Sequence, residues 1–237
     1  MAAIPFSITR WSAWAPGLDS PAAWAAWSRG AARADTPTEP DSSFVPAGTR
    51  RRLSPLARMV FSVARDVVDE GESMPTVFAS RHGELDRTVE LLSSIARDQD
   101  LSPTSFGLSV HNAIVGQWSM FRGDRSEVTA IAAAGDGLEL ALVEAAALLQ
   151  ERPGPVLVLF AEGDTPEPYT GFVSDVPFRH ALALRVERGA EWTITRDEAR
   201  GTPSAESAAL VWLRANAAGA TAFRHDTERS GWVWSRG

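Results

Sequence analysis

The chain has no cysteine, and every one of its 23 basic residues is arginine. The missing thiol excludes disulfides, zinc–thiolate centres and cysteine catalysis. The missing lysine excludes Schiff-base chemistry and a P-loop grip on phosphate. Histidine is scarce too: His82, His111, His180 and His225 are scattered, with no i,i+4 pair and no HExxH, so no metal site is expected. Neither GxGxxG nor GxSxG occurs; Ser109, in GLSVH, comes nearest and lacks the second glycine. A net charge of −7 argues against nucleic acid as a main partner. No apolar run approaches the ~20 residues of a membrane span, and MAAIPFSITRW lacks the basic and continuous apolar regions of a signal peptide. The expectation is a soluble cytoplasmic protein without a cofactor.

What is present is an ordinary globular composition, 44% apolar and 22% charged, organised around residues 130–150. A short apolar run, 128–134, meets the turn Gly135-Asp136-Gly137 and then an alanine-rich helix. Leu138, Leu142, Ala145, Leu148 and Leu149 fall at helical spacing, with Glu139 and Glu144 as the only charges, which predicts a helix buried on most sides. Strand, tight turn and buried helix form the geometry on which many enzymes mount a nucleophile, where the helix dipole stabilises negative charge. This turn carries no Cys, Ser, Thr or Lys.

Around that unit, residues 4–14 alternate as a first strand, and Ser20-Pro21 opens a helix with Ser as N-cap and Pro at N1. Trp24 and Trp27 share one face of it, as core or as an anchor for a partner. Residues 35–48 read as a proline-rich loop. Ser54-Pro55 is a second cap pair, followed by Leu56, Val60, Val63 and Val67 along one helical face to about residue 69. The triplet Arg50-Arg51-Arg52 before it is a solvated loop or a docking point for an acidic partner. Residues 75–80 read as a strand, and 86–98 as an amphipathic helix with Val89, Leu92 and Ile95 inward.

Residues 101–123 read as a loop and then an irregular helix over 108–121. Within it His111-Asn112 is a buried hydrogen-bonding pair or an acid–base group. Residues 156–160 predict a fully buried strand, and 162–168 an acidic loop with Glu162 and Asp164 solvated. Residues 180–186 and 192–195 pair as a hairpin, 204–217 form a last helix, and the tail from 220 is polar except for Phe223, Trp232, Val233 and Trp234. Strands alternating with helices and closing on a hairpin mean an α/β fold with a mixed sheet.

Five segments in order, RRRLSPLARMVFSVARDVV, PTVFASRHGE, SFGLSVHNAIVGQWSMFRG, EVTAIAAAGDGLELALVEAAALL and VLVLFAEGDTP, resemble the N-terminal half of β-ketoacyl synthases. Among these the chain resembles the short, chain length factor type found with aryl polyene, type II polyketide or fatty-acid systems. The resemblance covers about residues 4–188. It implies a thiolase-like half, a βαβαβαββ mixed sheet with helices on its faces, over residues 1–195. Residues 196–237 are expected to add a helix and tail packed on the same domain.

Registering the glycine that follows the family's catalytic cysteine on Gly137 puts the nucleophile position at Ala134, which has no nucleophilic atom. The family's remaining catalytic groups come from a C-terminal half that a chain of this length cannot build. The resemblance therefore implies a non-catalytic subunit of a heterodimer with an active β-ketoacyl-ACP synthase. Residues 106–121 and 128–132 become the interface, and Leu108, His111, Asn112, Val115, Trp118, Phe121 and Ala130 the candidates for partner contact and the partner's acyl tunnel. Arg50, Arg51 and Arg52 become candidate docking points for an acyl carrier protein. Two other readings stand beside it: an independent thioester hydrolase or acyltransferase using Ser109 or His111 with Asp136, and a carrier-binding scaffold.

Overall fold

The structure, a computed structural model, describes residues 2–33, 38–167, 169–172, 176–199 and 201–237. Residues 35–37 of the proline-rich loop and Pro168 of the acidic loop lie outside them. In chain order the elements are β1 (Ile4–Trp14), α1 (Pro21–Ser28), α2 (Ala47–Arg50), α3 (Pro55–Val67), β2 (Thr76–Ala79), α4 (Leu85–Ala96), α5 (Pro103–Gly107) and α6 (Ala113–Arg122). They continue with β3 (Val128–Ile131), α7 (Gly137–Glu151), β4 (Val156–Glu162), β5 (His180–Asp197), α8 (Ala208–Ala217), β6 (Ala222–Asp226) and β7 (Gly231–Arg236).

The sheet is mixed, as expected. β3, β2 and β4 run parallel, with Thr76 opposite both Val128 and Leu157. β5 is antiparallel to β4 through its first half and to β7 through its second, with β6 beyond β7. β1 lies along the other edge of β5, from Ile4↔Ile194 to Trp14↔Ala181. The hairpin expected between 180–186 and 192–195 is instead one 18-residue strand. Arg188, Gly189, Ala190 and Glu191 are skipped in the register with β1 and form a bulge rather than a turn. The bulge aims the Arg188 guanidinium at the carbonyls of Leu149, Gln150 and Arg152, groups that the end of α7 leaves without helical partners.

Every residue of β4 is buried, so alternation splits it between two cores. Val156, Val158 and Phe160 share a core with residues of α7, α8 and α1; Leu157, Leu159 and Ala161 share the other with residues of α3 and α6. α7 is enclosed as its sequence predicts, with Leu138, Ala141, Leu142 and Ala145 fully buried. The same core holds Leu210 and Trp212 of α8 and Trp232 and Trp234 of β7, so this chain supplies part of its cover. The tail read as polar is thus a hairpin whose two tryptophans are fully buried. Trp24 and Trp27 are core: Trp24 Nε1 donates to the Ala13 carbonyl at 3.0 Å, and the Arg214 guanidinium lies 3.6 Å over the Trp27 ring.

Two expectations are corrected. α4 has no buried residue, and Leu92 and Ile95 are 51% and 57% exposed, because its apolar stripe faces away from the sheet. Glu162 is buried at the end of β4, where its Oε1 accepts the Arg81 backbone N–H at 2.8 Å.

Both Ser-Pro cap pairs form as read, Ser20 accepting from the Ala23 N–H and Ser54 from the Ala57 N–H. Ser54 also donates to Glu84 Oε1 at 2.6 Å, and burial, opposed by Ser54 and Arg87, raises the Glu84 pKa. Ser54→Ala removes the cap and a buried carboxyl's donor together. We expect a loss of about 2 kcal/mol, read from the urea midpoint.

Candidate functional site

The turn between β3 and α7 opens onto a cavity of about 90 Å³ lined by Ala134, Gly135, Arg81, Phe172 and the 225–229 loop of the C-terminal hairpin. The helix begins at Gly137, packed against the sheet at ordinary contact distance. A Cβ on Gly137 would meet the Phe160 ring at 3.4 Å and Ala79 at 3.7 Å. One residue pair inward, Glu139 is fully buried, and its Oε1 accepts His225 Nδ1–H at 2.9 Å and Trp234 Nε1–H at 3.3 Å. Asp136 accepts the Ser230 hydroxyl at 2.7 Å. These bonds pin the hairpin across the start of α7. Burial opposes charge on His225, but Glu139, followed by Asp136 and Asp226, outweighs it and holds the imidazole pKa above its ordinary value.

A second region lies at the far edge of the sheet. Gly83, at φ +54°, turns the chain beneath His111, where a Cβ would sit 2.6 Å from the ring Nδ1. His111 Nε2–H donates to the Ile131 carbonyl at 3.0 Å and ties the segment before α6 to β3. The irregular helix expected over 108–121 is α6, which begins only at Ala113, while the loop expected before it contains the short helix α5, with residues 108–112 between the two. Leu108 and Phe121 line a groove of about 440 Å³ with Thr104, Gln117 and Met120. Asn112 is exposed at the N-cap of α6 and makes no capping bond. Val115 and Trp118 are buried against α3, with the Trp118 and Phe61 rings 5.1 Å apart, so they back this surface rather than face out from it. Phe106 and Met120 are 64% and 76% exposed.

Among the described residues β3 pairs only with β2. Thr76 N–H donates to the Glu127 carbonyl and Ser80 N–H to that of Ile131, so odd-numbered residues of this strand bond inward. The backbone groups of Val128 and Ala130 therefore face the open edge.

Ser109, His111 and Asp136 are not assembled. Ser109 donates to the Phe106 carbonyl, His111 to Ile131, and Asp136 is taken by Ser230. Of the arginine triplet, Arg50 ends α2, while Arg51 and Arg52 are exposed beyond it. Among the described residues no three His, Cys, Asp or Glu side chains converge as metal ligands. The His225–Glu139 pair was missed in the sequence because its members are 86 positions apart. A single acid on the inner face of an apolar helix was the only sign of it.

The family model described as β-ketoacyl synthase, N-terminal domain, matches residues 24–235. The comparison with curated proteins finds no match. Among solved structures, one chain of the ketosynthase ApeO in complex with its chain length factor ApeC, from Xenorhabdus doucetiae, is 29% identical with a TM-score of 0.89. That match spans 98% of this chain and 100% of the other. The ishigamide ketosynthase/chain length factor matches at 18% identity and TM-score 0.63, over 81% of this chain and 67% of that one. The ketosynthase from module 1 of the bacillaene synthase of Bacillus amyloliquefaciens FZB42 matches at 13% and 0.56, over 84% of this chain but 47% of its own.

Proposed function

The chain belongs to the β-ketoacyl synthase N-terminal domain family, and from that membership we propose that it is a chain length factor-like, non-catalytic subunit pairing with an active β-ketoacyl-ACP synthase. Residues 1–195 serve as a half-thiolase unit and 196–237 as the helix and hairpin that close it. The observation that carries this reading is the β3 edge, unpaired among the described residues, together with the exposed apolar residues of α4 to α6. Such an edge is a ready template for another strand. The whole-length likeness to a chain of the ApeO–ApeC complex supports the same reading.

Ala134 takes the nucleophile position of this family. An alanine there supplies no acyl acceptor, so condensation falls to the partner. Ala130 stands at the joined edge, and Leu108, His111, Asn112 and Phe121 face the partner with Val115 and Trp118 behind them. Bulk in this layer limits the length of an acyl chain because overpacking an apolar slot costs about 1–3 kcal/mol. The product class is of polyketide, aryl polyene or fatty-acid type, and Arg50–Arg52 offer positive charge to an acidic carrier protein. Co-expression with the synthase of the same system tests the reading. The expected result is a one-to-one complex whose products shorten with Leu108→Trp. A synthase that is active and unaltered in product without this chain, and does not retain it, overturns the assignment.

A further inference from the structure

One buried polar side chain of α6 has no partner in the fold. Gln117 is 7% exposed, and its carboxamide makes no hydrogen bond among the described residues. Neither amide atom is sealed in the core, because the fully enclosed atoms without a partner belong to Arg58, Glu139 and Trp212. The amide opens instead on the groove of about 440 Å³ that Gln117 lines with Thr104, Leu108, Met120 and Phe121. Arg52 is the one charged residue of that lining. Its guanidinium has no ion pair or hydrogen bond among the described residues, and no acid stands on the wall to neutralise it. A groove of this size falls within the range of ordinary ligand sites, about 300–1,000 Å³.

We propose that this groove is a docking site for an extended segment of the partner synthase, in which an apolar side chain lies beside a carboxylate side chain. Each part of the lining selects one part of that occupant. Leu108, Met120 and Phe121 receive the apolar side chain. The Arg52 guanidinium receives the carboxylate. A carboxamide carries both a donor and an acceptor, so Gln117 matches the N–H and C=O of a peptide backbone. A free fatty carboxylate would satisfy Arg52 and the apolar floor but leave the buried amide unpaired. The groove's chemistry stands on its own residues; only the synthase as source of the segment rests on the subunit reading.

The tripeptide acetyl-Glu-Leu-Glu-methylamide is the probe, with a carboxylate on either side of its apolar residue. Met120 lies on the groove, and its labelled methyl NMR signal is identified by its loss in Met120→Leu. Expected is a saturable shift of that signal with a Kd below about 10 mM. Acetyl-Gln-Leu-Gln-methylamide as ligand, Arg52→Gln and Gln117→Leu should each weaken binding at least about fivefold. Neither variant removes a bond of the fold, so the urea midpoint should hold. In the co-expressed complex the groove is filled: the Met120 signal should ignore the tripeptide, and both variants should loosen the complex at least about fivefold. No saturable shift, or octanoate binding more tightly than the tripeptide and indifferent to Gln117→Leu, overturns the proposal. A complex that forms, keeps its Met120 signal responsive and is unaffected by both variants also overturns it, while the pairing stands. A chain that binds the tripeptide but retains no synthase refutes the subunit reading, and the synthase as occupant with it.

Discussion

Ala130→Pro is expected to abolish pairing with the synthase while leaving the chain folded. The backbone N–H of Ala130 points to the open side of β3, since the neighbouring bonds to β2 come from odd-numbered residues. Proline there removes a donor that this chain does not use, and edge strands accept proline on that side. A strand added by a partner would lose a ladder bond and clash with the pyrrolidine ring. We expect at least a tenfold fall in co-purified synthase, equivalent to about 1.4 kcal/mol, with a change in the chain's own stability below about 1 kcal/mol. Thr129→Pro is the contrast, because its N–H faces β2 and its loss unsatisfies a group in the sheet. That variant should lose about 1–3 kcal/mol of folding stability as well. If Ala130→Pro retains the synthase at wild-type level, association does not run through this edge.

The same contrast between local and distant bonds explains what the sequence disclosed. Ser20-Pro21 and Ser54-Pro55 each place an acceptor and a pre-set φ within four residues, and both helices start where those pairs stand. The alanine-rich helix was legible because burial on most sides needs no knowledge of what covers it. What stayed hidden depends on distant partners. The gap between Val186 and Trp192 looks like a turn until Arg188 is seen holding the end of α7. The stripe of α4 follows the inward pattern, yet Leu92 and Ile95 face out, which fits a surface completed by another chain. The tail alternates too briefly to declare a hairpin, and Trp232 and Trp234 find their place only in a core built from distant elements, Trp234 against Phe6 and Trp192. The lack of a nucleophile in the 134–137 turn is read directly from the sequence, whereas the bond from His225 to Glu139 behind that turn is not.

That histidine also sets the largest expected loss of stability. His225→Leu leaves the Glu139 carboxylate fully buried with only the Trp234 indole as donor, since its Oε2 already has no partner. Removing one member of a buried pair costs about 3–5 kcal/mol, and equilibrium urea unfolding should show a drop of that size. The double variant Glu139→Leu/His225→Leu should recover most of it, because the penalty belongs to the uncompensated charge rather than to lost attraction. Glu139→Gln gives the pH dependence. Glu139 is the foremost group raising the His225 pKa, so the folded protein holds this proton more tightly than the unfolded chain, whose imidazole titrates near 6.5. The pair's contribution is then complete below about pH 6.5 and disappears as pH rises through the raised folded value. The stability gap between the unsubstituted chain and Glu139→Gln should accordingly be widest near pH 6 and narrow toward pH 9. A gap that widens with pH would mean that the imidazole is buried neutral. The hairpin would then be clamped over the Ala134 turn by packing and a neutral hydrogen bond alone.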